Sequence, residues 1–397
     1  MVVDLDNQFL HHGLPQRSLT ARIVPPTPPA GQHSTQPCPE PDYAACLLKL
    51  LEHPNICSRE GIIRLYDHEV QGGTLLKPLA GRFTNAPADA VVLRPEGTAG
   101  DQALALSVGI NPEYGKQDPY QMALNVIDEA VRNAVSAGAE PDRISILDNF
   151  CWGDPLRPET LGDLVQAALG CRDGEIYFGT PFISGKDSFN NEFLGSDGNR
   201  HAIPPTLLIS GLGLLEDYRD AVSMDLKAPD DAIYLVGVFD PTFGGSHYSK
   251  VCPPGIEPPA EGVPSLHPFT RLVYRQLHTA MRRNQVKACH DLSEGGLAVS
   301  AAEMCIGGQL GLDLDLCSFQ YLDLPHILFG ETTGCLLVEV PLESQLDFLA
   351  AFNRLPCRRI GTVTVDRRLV IHSGDRPVME ATVQSLLEAF QHPLQNG

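Results

Sequence analysis

Apolar positions recur most regularly at 118–138, DPYQMALNVIDEAVRNAVSAG, where Met122, Val126, Ile127, Ala130 and Ala134 fall at helical spacing. Asp118 is placed to cap this helix, Pro119 fits its first turn and Gly138 closes it. Shorter patterns predict helices over Tyr43–Glu52 and Leu161–Ala168, with strands at Val91–Leu93, Ala103–Val108, Ile144–Leu147 and Thr206–Leu215. A second unit begins near Asp230 with the strand AIYLVGVF, followed by the loop DPTFGGSHY and a proline-rich connection at 252–267. Helices over Pro268–Asn284 and Gly295–Cys305 and late strands at Cys335–Val340 and Leu369–His372 complete it. Mixed elements in this order predict an α/β (α+β) chain of two consecutive domains, 42–225 and 226–397. Ahead of them, VPPTPPAGQHSTQPCPEP at 24–41 carries seven prolines and reads as an extended linker. It sets residues 1–41 apart as the end of a preceding domain plus linker.

Charge narrows the choice of partners. Lys and Arg number 29 against 49 Asp and Glu, a formal charge of −20, which argues against nucleic acid or an anionic membrane as the partner. An acidic chain that handles phosphates must use local devices: backbone N–H groups, a few lysines or bound Mg²⁺. The eleven cysteines form no CxxC pair, so neither a zinc site nor a disulfide framework is expected. The N-terminus lacks the basic and apolar regions of a secretory leader, and no apolar run reaches eighteen residues. A soluble, cytoplasmic protein is expected.

Three stretches carry chemistry. In GTPFISGKDSFNNEF, 179–193, a short apolar run ending at Ile183 gives way to a dense polar stretch, Ser184–Glu192. On the long helix, Glu129 and Asn133 share a face one turn apart, which suits either a hard cation or a solvated surface. Asp128 and Arg132 share another face and read as a surface ion pair. In KACHDLSEGGLAVSAAEM, Gly295 and Gly296 open a helix after His290, Asp291, Ser293 and Glu294. Either phosphate oxygens approach these glycines, or Ser293 or Glu294 simply caps the helix. FGGSHY at 243–248 offers the same pair of readings, and Asp89 sits at the mouth of a strand.

Taken together, SGKDSFNNE, DPYQMALNVIDEAVRN, LDNFCWGDP, YDHEVQG, GGSHY and HDLSEGG resemble the phosphoribosylformylglycinamidine synthase family, and most closely the second half of its large synthetase subunit. The resemblance implies two consecutive aminoimidazole ribonucleotide synthetase-like domains. It also implies ATP- and Mg²⁺-dependent conversion of formylglycinamide ribonucleotide to formylglycinamidine ribonucleotide, in purine biosynthesis. The implied partners are the first half of the synthetase, a glutaminase subunit or domain supplying ammonia, and the ribonucleotide substrate. By the resemblance, Asp148 and Gly185 contact ATP and Ser188 the ribonucleotide, with Asp187 beside it. Lys186, Gly295 and Gly296 are placed with the nucleotide. Lys186 stands where short-form members carry asparagine, so phosphate contact and metal neighbour are both open to it. Asp89, Glu129, Asn133 and Asp291 match Mg²⁺ ligands of a second site that holds ATP or ADP without turnover.

The family's catalytic histidine belongs to the first half, so no catalytic residue is assigned here; His11 and His12 are expected at the surface. Cys335 stands where the family has arginine. The competing reading is a non-catalytic module that holds nucleotide and Mg²⁺ and stabilises assembly. A selenophosphate-synthetase-like or thiamine-monophosphate-kinase-like enzyme is disfavoured, because the glycine-rich N-terminal motif of those enzymes is missing.

Overall fold

The computed structural model describes residues 3–13, 17–25, 41–66, 68–253 and 258–395. Most of the expected linker, 26–40, lies outside the described residues, as do 254–257 of the second proline-rich connection. What is described before it is exposed: a short helix, Asn7–His12, and a strap ending at Pro25. The strap does touch the body. Arg22 donates its N–H to the Pro158 carbonyl at 2.7 Å and its guanidinium meets Glu159 at 2.9 Å.

The elements used below are helices α1 (Tyr43–Leu51), α2 (Pro119–Ser136), α3 (Pro158–Phe178), α4 (Thr270–Arg282), α5 (Gly296–Gly308) and α6 (Val383–Gln395). The strands of the first sheet are β1 (Thr74–Leu76), β2 (Ala90–Leu93), β3 (Ala103–Ile110), β4 (Ile144–Cys151), β5 (Phe182–Ser188) and β6 (Thr206–Leu215). Those of the second are β7 (Ala232–Val236), β8 (Ala288–Asp291), β9 (Gly311–Asp315), β10 (Leu336–Val340), β11 (Cys357–Thr364), β12 (Arg368–Ser373) and β13 (Arg376–Thr382).

The first sheet runs β1-β2-β3-β6-β4-β5 and the second β8-β10-β7-β11-β9-β12-β13. Each is antiparallel except for one pair, β4 with β5 and β9 with β12. Parallel pairing of β4 and β5 requires a crossover, and α3 supplies it. That helix runs far beyond the expected Leu161–Ala168. Its glycines explain why: Cβ atoms at Gly170 and Gly174 would meet the Tyr120 carbonyl at 2.5 Å and the Ile127 side chain at 2.7 Å. Close packing on α2 overrides the poor helix propensity of glycine. Strands β11 and β13 and helix α6 were not among the expected elements.

Helices α2 and α3 cover one face of the first sheet, and β3 has its small residues on that side. Ala103, Ala105, Ser107 and Gly109 turn toward the helices, and a Cβ on Gly109 would lie 2.1 Å from the Val126 carbonyl of α2. The large apolar residues of β3 point the other way. Leu106, Val108 and Ile110 keep 44%, 50% and 38% of their surface exposed, so the second face of this sheet is open and apolar.

The second sheet is covered on both faces, and every residue of β7 and β10 is buried. On one face Tyr234 and Val236, with Val273, Tyr274 and Leu277 of α4, join the α2 core of the first domain. On the other, α1, α5 and α6 pack with Ile233 and Leu235. Among the described residues no helix is long and apolar enough to cross a membrane.

Glu339 of β10 is fully buried and accepts the N–H groups of Lys227 at 2.8 Å and Ala228 at 2.9 Å. Burial raises its pKa to about 8 against the pull of those two donors, and Asp231 adds to the rise. Because the folded value lies above the unfolded one, the stabilisation is complete below about pH 4.5 and is lost as pH rises toward 8. Glu339→Gln can accept the same amides and donate to Asp231. It is therefore expected to flatten the pH dependence of the melting temperature between pH 5 and 8, gaining on the order of 2 kcal/mol at the upper end. An unchanged pH profile would exclude this role.

Candidate functional site

The two domains meet along α2, and the meeting line gathers acidic side chains from both. Asp89 immediately precedes β2, Asp291 ends β8, and Glu129 and Asn133 lie one turn apart on α2. All four line one pocket of about 180 Å³. The arrangement needs the antiparallel β2–β3 pair, which sets Ala90 level with Ser107 and brings Asp89 alongside Val108. Glu129 accepts the Ile110 N–H at 2.9 Å, and Asn133 donates its side-chain N–H to the Val108 carbonyl at 3.1 Å. The other end of that amide, Asn133 Oδ1, is buried without a partner.

Asp89, His290 and Asp291 offer ligand atoms within 4.8 Å of one another. His290 is already engaged at both ring nitrogens. Its Nδ1 meets Asp89 at 2.6 Å and its Nε2 meets Glu303 at 2.9 Å. Burial opposes its charge, yet Asp89 and then Glu303 hold it well above its ordinary value. The groups left facing the pocket are oxygens, which is the donor set that Mg²⁺ prefers. Their mutual repulsion points the same way: burial, with Glu294 and Asp291, pushes Glu129 well up, and burial lifts Glu294 to about 7. A divalent cation would relieve that crowding.

Asp128 and Arg132, expected at the surface, are buried instead, at 0% and 3% exposed. Arg132 pairs with Asp128, reaches Asp291 at 3.3 Å and donates to the Ser293 hydroxyl at 2.9 Å. Asp128 also accepts the Tyr274 hydroxyl at 2.6 Å and the Gly334 N–H at 2.9 Å. The second domain covers this face of α2, which local spacing could not reveal.

The polar stretch 184–188 belongs to β5 itself rather than to a loop after a strand. Parallel pairing carries it through the register Asp148 with Gly185, Asn149 with Lys186, Phe150 with Asp187 and Cys151 with Ser188. As the edge of the sheet, β5 tolerates this polarity. Gly185 leaves room for its neighbour, since a Cβ there would sit 2.3 Å from Asp148 Oδ1. Burial, with Asp187, raises the Asp148 pKa. Lys186 donates to the Ser188 hydroxyl on one face of the strand, and Asp187 shares the other with Gly185. Asp148, Ile209 and Gly109 lie in one ladder row, two strand spacings or roughly 10 Å from end to end. The β4–β5 group is thus brought together, but apart from the cation pocket.

Gly295 and Gly296 both take positive φ, +80° and +67°, at the start of α5. Neither Ser293 nor Glu294 caps the helix, whose N-cap is Gly295. The Gly295 N–H is donated to the buried carboxylate of Glu331 at 3.1 Å. His11 and His12 are exposed, and Cys335 is buried with its thiol toward the Val238 carbonyl.

Sequence reasoning passed over Asn55, Glu303 and Glu331. Glu303 alone carried a signal, as the one charged residue in GLAVSAAEMCIGG. Beside the cation pocket and sharing Asn55, Asp89 and Glu129 with it, a groove of about 720 Å³ continues over Ile56, Leu79 and Leu106 toward the open sheet face.

Residues 87–215 match the family described as AIR synthase related protein, N-terminal domain, and residues 228–374 match its C-terminal domain counterpart. The chain is 36% identical over 353 residues to phosphoribosylformylglycinamidine synthase subunit PurL of Gloeobacter violaceus, covering 82% of this chain and 44% of that protein. It is 34% identical over 403 residues to the PurL subunit of Thermosynechococcus vestitus, covering 95% and 50%. The chain therefore spans about half the length of the curated relatives it matches. Among solved structures, Thermotoga maritima PurL complexed with FGAR superposes with a TM-score of 0.67 at 15% identity, over 88% of this chain and 54% of that one. This last likeness concerns the fold.

Proposed function

The chain belongs to the AIR synthase related family, with the N- and C-terminal domains in series, and from that premise we propose that it is the second half of a phosphoribosylformylglycinamidine synthase. In this reading the complete enzyme uses ATP to phosphorylate the amide oxygen of formylglycinamide ribonucleotide. Phosphate is a far better leaving group than an amide oxygen, so ammonia from a glutaminase partner can displace it. The cytoplasm is the compartment this reading implies.

One observation carries the proposal. The four residues expected to bind Mg²⁺ come from three separate stretches and line one pocket, with Asn133 Oδ1 buried there and unpartnered. Asp89, Glu129, Asn133 and Asp291 would hold the ion, which when bound offsets phosphate charge. Arg132 holds Asp291 and Ser293, and His290 holds Asp89. Glycines 295 and 296 fix the turn beside the pocket. The adjoining apolar groove suits the rest of an adenine nucleotide.

Asp148, Gly185 and Lys186, with Asp187 and Ser188, would serve ATP and the ribonucleotide at a site shared with the first half. Four of them lie on the edge strand β5 and Asp148 on its neighbour β4, beside an open apolar sheet face, which favours a partner seated on that face. The alternative, a nucleotide–Mg²⁺ module without chemistry of its own, describes the isolated chain: its cation pocket is built from this chain alone, whereas the β4–β5 group stands at an open edge. Thermal unfolding tests the reading. ADP at a hundred times its Kd with excess Mg²⁺ is expected to add about 2.7 kcal/mol of stability. Chelation with EDTA should remove the gain, and an equal gain without Mg²⁺ would contradict the metal assignment.

A further inference from the structure

We propose that Glu331 is a positioning residue that shapes the nucleotide pocket by holding both glycine-rich turns and fixing one tautomer of His247; the inference rests on the nucleotide–Mg²⁺ reading above. Glu331 is fully buried, and its carboxylate accepts four hydrogen bonds. Oε2 accepts from the Tyr114 hydroxyl at 2.8 Å, across the domain junction. Oε1 accepts from the His247 N–H at 2.9 Å, from His247 Nδ1 at 3.0 Å and from the Gly295 N–H at 3.1 Å. A carboxylate satisfied in this way is strongly placed, because both of its oxygens accept from buried donors.

Two arms run from it to the pocket. The first is the Gly295 N–H, which anchors the turn bearing Ser293 and Glu294, both pocket-lining. That turn packs backbone against backbone on the segment before Glu331: a Cβ on Gly296 would lie 2.4 Å from the Gly330 carbonyl. The second arm is His247, buried in the other glycine-rich turn. Its Nε2 faces Asn55 Nδ2 at 2.9 Å. An amide nitrogen only donates, so Nε2 accepts, and the proton sits on Nδ1, directed at Glu331. Asn55 lines both the cation pocket and the adjoining groove. One carboxylate thus sets the positions of Ser293, Glu294 and Asn55 together. A leucine at 331 keeps the bulk but accepts from none of the four donors, whereas a glutamine could keep all four contacts, its oxygen taking the three N–H groups and its NH₂ donating to the Tyr114 hydroxyl.

The test titrates Mg²⁺–ADP into the chain, Glu331→Leu and Tyr114→Phe, with the ¹⁵N-detected tautomer of His247 as a second readout. Glu331→Leu is expected to weaken binding roughly 10- to 100-fold, as loss of an orienting contact does. Its far-UV circular dichroism should be unchanged, and His247 should lose the pure Nδ1–H form. A merely structural role would lower the melting temperature and leave affinity and tautomer alone. A folded Glu331→Leu that binds like the parent, or keeps the Nδ1–H tautomer, overturns the inference. Should Glu331→Leu not fold, Tyr114→Phe decides: several-fold weaker binding supports the inference and parent-like binding overturns it. If the parent itself binds no nucleotide, the underlying reading fails and takes this inference with it.

Discussion

Mixed with a matching first half, this chain is expected to make formylglycinamidine ribonucleotide from ATP, the formylglycinamide substrate and ammonium; alone, it is expected to make none. Of the residues assigned to that chemistry, all but Asp148 of β4 lie on the edge strand β5, whose Lys186 and Asp187 are exposed. Phosphoryl transfer depends mainly on positioning and electrostatics, and positioning alone is worth about 7–11 kcal/mol of barrier. A site open on one side forfeits most of that. In the mixture, Ser188→Ala should chiefly raise the KM for the ribonucleotide while leaving Mg²⁺–nucleotide binding by this chain intact, since Ser188 and Glu129 belong to different groups. The measurement is steady-state turnover with and without the first half. Robust turnover by the chain alone would sink the half-enzyme reading and turn the search for a base to His68, His247 and His290. The last two are already held by carboxylates, Glu331 for one and Asp89 and Glu303 for the other.

Asp128→Ala is expected to be the most destabilising single substitution at the domain junction, costing about 3–5 kcal/mol. Asp128 faces Arg132 in a setting with almost no solvent, and its other contacts, Tyr274 and Gly334, belong to the second domain. Burial raises the Asp128 pKa even against the neighbouring guanidinium. Arginine keeps its proton at any ordinary pH, so removing the carboxylate leaves a buried cation whose one remaining ion pair among the described residues is with Asp291, at 3.3 Å. Arg132 Nε already lacks a partner. The double variant Asp128→Leu with Arg132→Met should recover much of the loss, because it removes the unpaired charge along with the pair. Urea unfolding of the two single variants and the double variant measures this. A double variant as unstable as the sum of the singles would show that packing, not charge, holds the junction.

How much of this was visible in the residues varied with the kind of interaction involved. The long helix α2 was legible because its cap, first-turn proline and apolar period all agree; Asp118 does accept the Gln121 N–H at 3.0 Å. The extent of β5 was not legible, since SGKDS has no strand pattern and is extended only because β4 supplies its partner. The junction face of α2 was misread for a related reason. Asp128 and Arg132 carry the spacing of a solvated ion pair, and only the cover from Tyr274 and Gly334 makes them internal. Of the cation pocket, the Glu129–Asn133 spacing was a weak local signal, Asp89 at a strand mouth and Asp291 before a glycine pair were local candidates beside it, and their union as Mg²⁺ ligands came from the resemblance. Glu331 gave no signal at all: a single glutamate in FGETTG has no period, and its four donors come from three distant stretches of chain.

Calorimetric titration of Mg²⁺–ADP into this chain and into Glu129→Ala tests the central claim most directly. Glu129 stands among the crowded carboxylates of the pocket and touches neither β4 nor β5; its other contact is the Ile110 N–H of β3, so its loss should act on the cation pocket and leave the β4–β5 group intact. The account predicts saturable binding by the parent, loss of that binding on chelation of Mg²⁺, and at least a tenfold weakening in Glu129→Ala. No binding by the parent, or equal affinity in Glu129→Ala, would contradict it.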